Sequence, residues 1–95
     1  MQKAQSIGEI LAEYIQGTAL EQPLLERKVV EVWPEVLGSA VAQLTWNIRV
    51  KDGVLYVHIQ SAALRAQLFE CRYTIVQKIN AAVQADVLKD IRLLG

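Results

Sequence analysis

The stretch LTWNIRVKDGVLYVHIQ, residues 44–60, alternates apolar and polar side chains on both sides of Asp52-Gly53. Alternation with a period of two is typical of a β-strand that has one buried face. Asp-Gly is a favoured pair for a two-residue type I′ turn, because both central residues of that turn need a positive φ. The sequence therefore predicts a β-hairpin, with the return strand over residues 54–60.

A two-residue turn also fixes which residues of the hairpin face each other, because a slip by one residue would exchange the two faces. One predicted face consists of apolar pairs only: Val50 with Leu55, Ile48 with Val57, and Trp46 with Ile59. The other face pairs Arg49 with Tyr56, Asn47 with His58, and Thr45 with Gln60. We therefore expect Trp46 in the core, together with Trp33 from the preceding helix.

Two helices are predicted before the hairpin. Ser6 and Glu9 form a capping box for the first, which Gly17 ends. Its apolar residues at helical spacing are Ile7, Ile10, Leu11, Tyr14 and Ile15. Thr18 and Glu21 repeat the start signal, with Pro23 near the first position of the second helix. The apolar stripe of the second helix is Leu25, Val29, Val32, Trp33 and Val36. Pro34 is expected to kink or end this helix, and a short helical piece is expected to continue through Val41.

One long helix and a last strand are predicted after the hairpin. Ser61 is the expected N-cap of the helix, and the helix ends near Val83. Its apolar stripe is Leu64, Leu68, Cys71, Ile75, Ile79 and Ala82. Val87, Ile91 and Leu93 alternate as in a strand that joins the hairpin, with Lys89 as an exception on its inward face. The predicted fold is one α+β domain over residues 1–95, in the order α-α-β-β-α-β, with a three-stranded sheet and helices packed on one face.

Composition excludes several classes of protein. Ten basic and ten acidic side chains in 95 residues give a formal net charge of zero, which disfavours nucleic-acid binding through basicity alone. A hydrophobic fraction of 53% excludes an intrinsically disordered chain. With one cysteine and one histidine, the sequence predicts no internal disulfide, no metal site and no cofactor. It shows neither a signal peptide nor an apolar run long enough to span a membrane, so we expect a cytoplasmic protein.

Sequence motifs of catalysis are absent. The chain has no Gly-rich phosphate loop, no G-x-S-x-G elbow and no HExxH motif. His58 falls on the polar face of the hairpin. Cys71 falls in the apolar helix stripe, where a free cysteine is usually a small hydrophobe. We therefore predict that the protein is not an enzyme.

Charge is unevenly distributed along the chain. Residues 1–43 carry three basic and six acidic side chains, whereas residues 44–95 carry seven basic and four acidic ones. Arg49 and Lys51 share the predicted polar sheet face with Tyr56, His58 and Arg92, and basic side chains beside aromatic rings bind single-stranded nucleic acid. Arg49 and Lys51 are therefore the predicted nucleic-acid-binding residues. The alternative, which the pattern alone favours, is an ordinary solvated face on which Arg49 stacks on Tyr56.

Arg65 and Arg72 form a second candidate site. They lie seven residues apart on the predicted long helix, with Phe69 between them. Arginines and aromatic residues anchor protein interfaces, so these two arginines are the predicted partner-binding residues. Equally consistent with the spacing is snorkelling, in which the apolar stems cover the edge of the core and the guanidinium groups stay in water.

From Trp33 onward the sequence resembles the DciA family of bacterial proteins. The features that carry the resemblance occur in order: WPEVLG at 33–38, Leu44-Thr45 before a strand, KDGVLYV at 51–57, Ser61 with Leu64 and Leu68 at the start of a helix, and Ile79-Asn80 near its end. Together they cover about residues 20–95.

This resemblance implies a KH-like fold and a role in DNA replication. It implies two partners: the DnaB-type replicative helicase, which family members help to place on DNA without being ATPases, and single-stranded DNA. The chain lacks the GxxG loop of ordinary KH domains. We also expect a short form without the extended tail or the zinc-ribbon cysteines of some relatives. Two alternatives to a helicase adaptor stay open: a free-standing single-stranded DNA- or RNA-binding module, and a self-associating interaction domain with no nucleic-acid role.

Overall fold

The predicted hairpin is present in the computed structural model, which describes residues 6–95. Strand β1 (Thr45–Lys51) turns at Asp52-Gly53 into the antiparallel strand β2 (Val54–Ile59). Asp52 and Gly53 have φ values of 53° and 77°, as a type I′ turn requires. Residues 1–5, which the predicted domain includes, lie outside the described residues, as does the side chain of Ala12.

Strand β3 (Asp90–Leu94) completes a three-stranded sheet in the order β1-β2-β3 and runs parallel to β2. A parallel neighbour needs a long crossover, which residues 60–89 supply. The strand begins after Lys89, so this lysine is not an inward-facing strand residue. Val87, predicted as part of the strand, is buried in the loop before it. The N–H of Lys89 donates to the Gly53 carbonyl at 2.8 Å, which ties the start of β3 to the hairpin turn.

The described part of the chain contains five helices. They are α1 (Ile7–Ile15), α2 (Glu21–Leu37), α3 (Ser39–Ala42), α4 (Ala62–Glu70) and α5 (Arg72–Val83). The predicted caps of α1 and α4 are confirmed, since Ser6 Oγ accepts from the N–H of Glu9 and Ser61 Oγ from that of Leu64. The short helical piece expected through Val41 is present as α3. Apart from a division of the third predicted helix, the element order agrees with the prediction. The α+β class with helices packed against a three-stranded sheet is confirmed.

The core lies between the helices and one face of the sheet. Its fully buried members on β2 are Leu55, Val57 and Ile59, every second residue of the strand. Trp33 of α2 is also fully buried, as predicted. Its indole Nε1 donates to Thr45 Oγ1 at 3.1 Å, and that hydroxyl donates to the Ala42 carbonyl at 2.7 Å. The buried indole N–H thus has the hydrogen-bond partner that it needs.

A β-bulge in β1 shifts the strand pairing in the half of the hairpin that is farther from the turn, so the predicted register is wrong there. Val50 faces Leu55 and Arg49 faces Tyr56, as predicted, but Trp46 then faces His58 and Thr45 faces Ile59. Between the two matched pairs, β1 has one residue more than β2, and Asn47 adopts a φ of 51° there. The prediction that Trp46 lies in the core is therefore wrong, because the extra residue moves its side chain to the other face.

The predicted long third helix is divided at Cys71. The N–H of Cys71 donates to the Leu68 carbonyl at 3.1 Å, a tighter turn than in an α-helix, and α5 starts at the next residue. Helix α5 buries Ile75 and Ile79, as predicted, together with Val76 and Val83. Cys71 and Ala82, predicted in the buried stripe, are both exposed.

Pro34 lies inside α2, and the helix continues to Leu37. Of the two effects expected of Pro34, a kink or an end of the helix, the end at this residue is thus wrong. Proline has no N–H to donate to the carbonyl of Val30, yet the helix continues for three residues beyond it. The helix ends instead at Gly38, whose φ of 87° favours glycine and whose N–H donates to the Pro34 carbonyl at 2.9 Å.

Candidate interaction surfaces

The sheet face opposite the core, here called the outer sheet face, carries basic and aromatic side chains together. Residues paired on neighbouring strands place their side chains on the same face, so the strand pairing determines its members. They form three rows across the strands: Lys51, Val54 and Asp90; Arg49, Tyr56 and Arg92; Trp46, His58 and Leu94. The predicted sharing of one face by Arg49, Lys51, Arg92, Tyr56 and His58 is confirmed.

Arg49 is held against its neighbours on this face. Its guanidinium carbon lies 5.2 Å from the centre of the Tyr56 ring, within the range of a cation–π contact. Its Nη1 lies 3.1 Å from the Asn47 carbonyl and 3.2 Å from His58 Nε2. Because a guanidinium only donates, His58 Nε2 is the acceptor, and we assign the ring proton to Nδ1, which lies 3.4 Å from the Gly95 carbonyl.

Trp46 is the functional candidate that the sequence analysis missed. It is 46% exposed, and its ring centre lies 5.8 Å from that of His58 with 35° between the planes. The two rings form a partly exposed aromatic surface beside Arg49. The signal in the sequence is Asn47, one of the few residue types that tolerate a positive φ and hence a bulge.

Lys51 and Arg92 place further positive charge on the outer sheet face. Both side chains are exposed. Arg92 faces Tyr56 from β3, so arginines flank this tyrosine on both neighbouring strands. Lys51 lies at the hairpin end, two rows from Trp46, in a row that also contains Asp90. The outer sheet face therefore combines aromatic rings and cations along β1 and β2, and the carboxylate of Asp90 lies at its hairpin end.

Arg65 does not point along a helix face toward Arg72. Its Nη1 donates to the carbonyls of Ile59 and of Gln60, the latter at 2.9 Å. These bonds join α4 to the end of β2. The structure therefore places Arg65 at the sheet and does not assemble the arginine strip expected from the sequence. Its role in partner binding stays a prediction.

Arg72 lies between two exposed aromatic rings, and we call Phe69, Arg72 and Tyr73 the Arg72 cluster. The guanidinium carbon is 3.9 Å from the centre of the Phe69 ring and 4.6 Å from that of Tyr73. Nη1 also donates to the Phe69 carbonyl at 2.9 Å. Phe69 and Tyr73 are 52% and 64% exposed.

Residues 6–95 contain neither a candidate metal site nor a candidate membrane-spanning helix. No group of three or more histidine, cysteine, aspartate and glutamate side chains in these residues is placed to hold a metal ion. No helix in the same range is both long and apolar enough to cross a bilayer.

Comparison with known proteins assigns this sequence to a family. The sequence matches the family described as "Dna[CI] antecedent, DciA" over residues 6–93. It is 27% identical to a UPF0232 protein of Corynebacterium glutamicum (strain R) over 92 residues, which are 97% of this chain and 52% of that protein. It is 29% identical to a UPF0232 protein of Mycobacterium tuberculosis (strain ATCC 25618 / H37Rv) over 91 residues, 96% of this chain and 49% of that protein.

A UPF0232 protein of Rhodococcus jostii (strain RHA1) is 34% identical over 70 residues, 74% of this chain and 37% of that protein. The chain therefore spans about half the length, or less, of these curated relatives. The family match, in contrast, extends from the N-cap of α1 into β3. On that match, the chain belongs to the DciA family.

Proposed function

We propose that this chain is a non-enzymatic adaptor in DNA replication that binds the DnaB-type replicative helicase and assists its loading onto DNA. Family membership over residues 6–93 carries the proposal, and the words "Dna[CI] antecedent" in the family description support a replication role. A KH-like assignment of the fold and a cytoplasmic location are parts of the same proposal.

The Arg72 cluster is the proposed contact with the helicase. Arginine and aromatic side chains supply much of the binding energy of protein interfaces. The Arg72 guanidinium is already stacked and hydrogen-bonded in the free protein. Binding therefore costs little side-chain entropy at this residue. Arg65 is proposed to add a second contact through the guanidinium donors that its bonds to Ile59 and Gln60 leave over.

The experiment is capture of the host replicative helicase on immobilised protein. Wild-type protein should retain the helicase, and Arg72→Ala should weaken retention by about thirtyfold, which corresponds to the roughly 2 kcal/mol that defines an interface hot spot. Lys78→Ala removes an exposed charge from the same helix and is the matched control, which should bind as wild type does. Arg65→Ala is measured together with thermal unfolding, because it also loses bonds within the domain.

Two results would count against these proposals. A folded wild-type protein that retains no helicase refutes the adaptor function. Equal retention by the wild type, Arg72→Ala and Arg65→Ala refutes the assignment of the interface while leaving the adaptor function in place.

Single-stranded nucleic-acid binding is the second candidate function, and the exposed Trp46 favours it. Bases of an unpaired strand stack on aromatic side chains, while cations alongside contact the phosphates. Trp46 and His58 supply the rings, and Arg49 and Lys51 are the proposed phosphate-binding residues.

Fluorescence anisotropy of a labelled single-stranded oligonucleotide tests this second function. Trp46→Ala should weaken binding by about tenfold, since one stacked base contributes about 1–3 kcal/mol. Leu20→Ala, which removes an exposed apolar side chain just before α2, is the control and should have no effect. Binding that survives Trp46→Ala unchanged would exclude stacking on this surface.

A further inference from the structure

A recess lies at the end of the outer sheet face that is farther from the hairpin turn. It has a volume of about 500 Å³, which is within the range of small-molecule sites. Its lining comes from the segments where β1 begins and β2 ends: Gln43, Leu44, Thr45, Trp46, Gln60 and Ser61. We call it the Trp46 recess. Because Trp46 belongs both to this recess and to the outer sheet face, the two surfaces are continuous.

The apolar part of the Trp46 recess offers a stacking surface. The side chains of Leu44 and Trp46 are 58% and 46% exposed. The ring of His58 lies beside that of Trp46, with 5.8 Å between the ring centres. Unpaired nucleobases stack on exposed aromatic side chains of this kind. The recess can therefore accept a planar ring against the indole.

Two glutamine amides supply the free polar groups of the Trp46 recess. The hydroxyls of Thr45 and Ser61 already accept hydrogen bonds within the domain. The side-chain amides of Gln43 and Gln60, in contrast, make no hydrogen bond to any other residue of the described range 6–95. An aliphatic side chain in the recess would take water from both amides and leave them unpaired, which costs free energy. A ring with polar edges can pair them instead.

Arginines adjoin the Trp46 recess, although none of its six lining residues is charged. Arg49 lies one row further along the outer sheet face. Nη1 of Arg65 donates to the carbonyl of Gln60, a lining residue, at 2.9 Å. An uncharged recess beside guanidinium groups fits a nucleotide within a strand, whose base is neutral and whose phosphates are anionic.

The two amides also discriminate between the bases. The amino group of adenine stands between two ring nitrogens that accept, so adenine presents a donor beside an acceptor on both of its polar edges. A glutamine amide, which also has a donor beside an acceptor, pairs with such an edge through two hydrogen bonds. Guanine presents two acceptors on one of the corresponding edges. The amides of Gln43 and Gln60 can therefore pair both edges of adenine but only one edge of guanine.

We propose that the Trp46 recess binds one unpaired adenine of a single strand, stacked on Trp46 and paired at its edges by Gln43 and Gln60. The inference rests on the second candidate function, single-stranded nucleic-acid binding, and adds a base preference to it. Since neutral groups supply the preference and cations supply the attraction for phosphates, raising the salt concentration should lower the affinity but keep the preference.

The test is fluorescence anisotropy of a labelled strand of abasic sites with one nucleotide at its centre. Adenine there should strengthen binding at least about tenfold over the fully abasic strand, and about tenfold over guanine, the discrimination typical of one bidentate pair. Gln43→Ala combined with Gln60→Ala should abolish the preference for adenine over guanine. Gln77→Ala on α5, outside the Trp46 recess, is the matched control and should keep it. All three glutamines are exposed, so we expect the variants to fold, which thermal unfolding checks.

Several results would overturn the proposal. Adenine that binds no better than guanine or than an abasic site contradicts it, and so does a preference that survives in the double variant. Displacement of the strand by AMP at the strand's own concentration would assign the recess to a free nucleotide instead.

A strand with all its bases separates this inference from the function on which it rests. If folded protein binds that strand but shows no preference for adenine, the assignment of the Trp46 recess fails and single-stranded nucleic-acid binding stands. If folded protein binds no strand, both fail. Neither outcome depends on helicase capture.

Discussion

At the scale of single residues, Thr45 supplies the hydrogen-bond acceptor that the buried indole N–H of Trp33 needs. Its hydroxyl accepts from Trp33 Nε1 and donates to the Ala42 carbonyl. Thr45→Val keeps the shape but leaves the indole N–H unpaired, so the free energy of unfolding should fall by about 1–3 kcal/mol. Urea unfolding measures this. Thr74→Val, an exposed position on α5, should change it by no more than about 0.5 kcal/mol.

A double-mutant cycle identifies the cause of that loss. Trp33→Phe removes the indole donor, so Thr45→Val should cost less in the Trp33→Phe background than in the wild type. Equal costs in the two backgrounds would show that the hydrogen bond between the two side chains contributes nothing to stability.

Asn80 of α5 holds the loop before β3 through side-chain hydrogen bonds, as Thr45 holds the indole of Trp33. Its Oδ1 accepts from the N–H groups of Val87 and Leu88 at 3.1 and 2.9 Å, and its Nδ2 donates to the Leu88 carbonyl at 2.9 Å. Asn80→Ala should therefore lower the free energy of unfolding by about 1–3 kcal/mol, because the loop that leads into β3 loses these partners. Thermal unfolding tests it, with the exposed Gln77→Ala as control. A Tm equal to that of the control would contradict this role.

At the scale of elements, the sequence predicts what is determined locally. Asp52-Gly53 determines the hairpin turn and the pairs next to it, so the contact of Arg49 with Tyr56 was predictable. The bulge was not, because one extra residue with a positive φ costs little and alternation alone cannot detect it. The division at Cys71 also lacks a local signal, since neither glycine nor proline marks it.

We expect Asn47 to determine whether the side chain of Trp46 lies on the outer sheet face. A β-branched residue rarely adopts the φ of 51° found here, whereas glycine adopts it readily. Asn47→Val should lower the free energy of unfolding by about 1–3 kcal/mol and remove the contact between the rings of Trp46 and His58. Asn47→Gly should keep the contact. Nuclear Overhauser effects between the two rings report it, and their persistence in Asn47→Val would show that other residues determine the bulge.

At the scale of the whole molecule, zero net charge conceals two surfaces of opposite sign. The described residues extend over 47 × 30 × 20 Å, whereas charges in 0.15 M salt are screened beyond about 8 Å. The glutamates of α1 and α2 therefore do not cancel the cations of the outer sheet face at physiological salt. A neutral chain can in this way present a cationic surface to nucleic acid.

Because the basic residues lie on separate surfaces, variants with the same change in net charge can test whether the outer sheet face binds nucleic acid. Arg49→Ala with Lys51→Ala and Arg27→Ala with Lys28→Ala both change the net charge by −2, one pair on the outer sheet face and the other on α2. Each phosphate contact on a single strand contributes about 0.7 to the slope of log affinity against log salt concentration. The first double variant should therefore bind a single-stranded oligonucleotide more weakly, with a slope shallower by about 1.4, while the second keeps the wild-type slope. Equal changes in both would mean that net charge alone attracts the strand, and no change in the first would exclude the outer sheet face as the site.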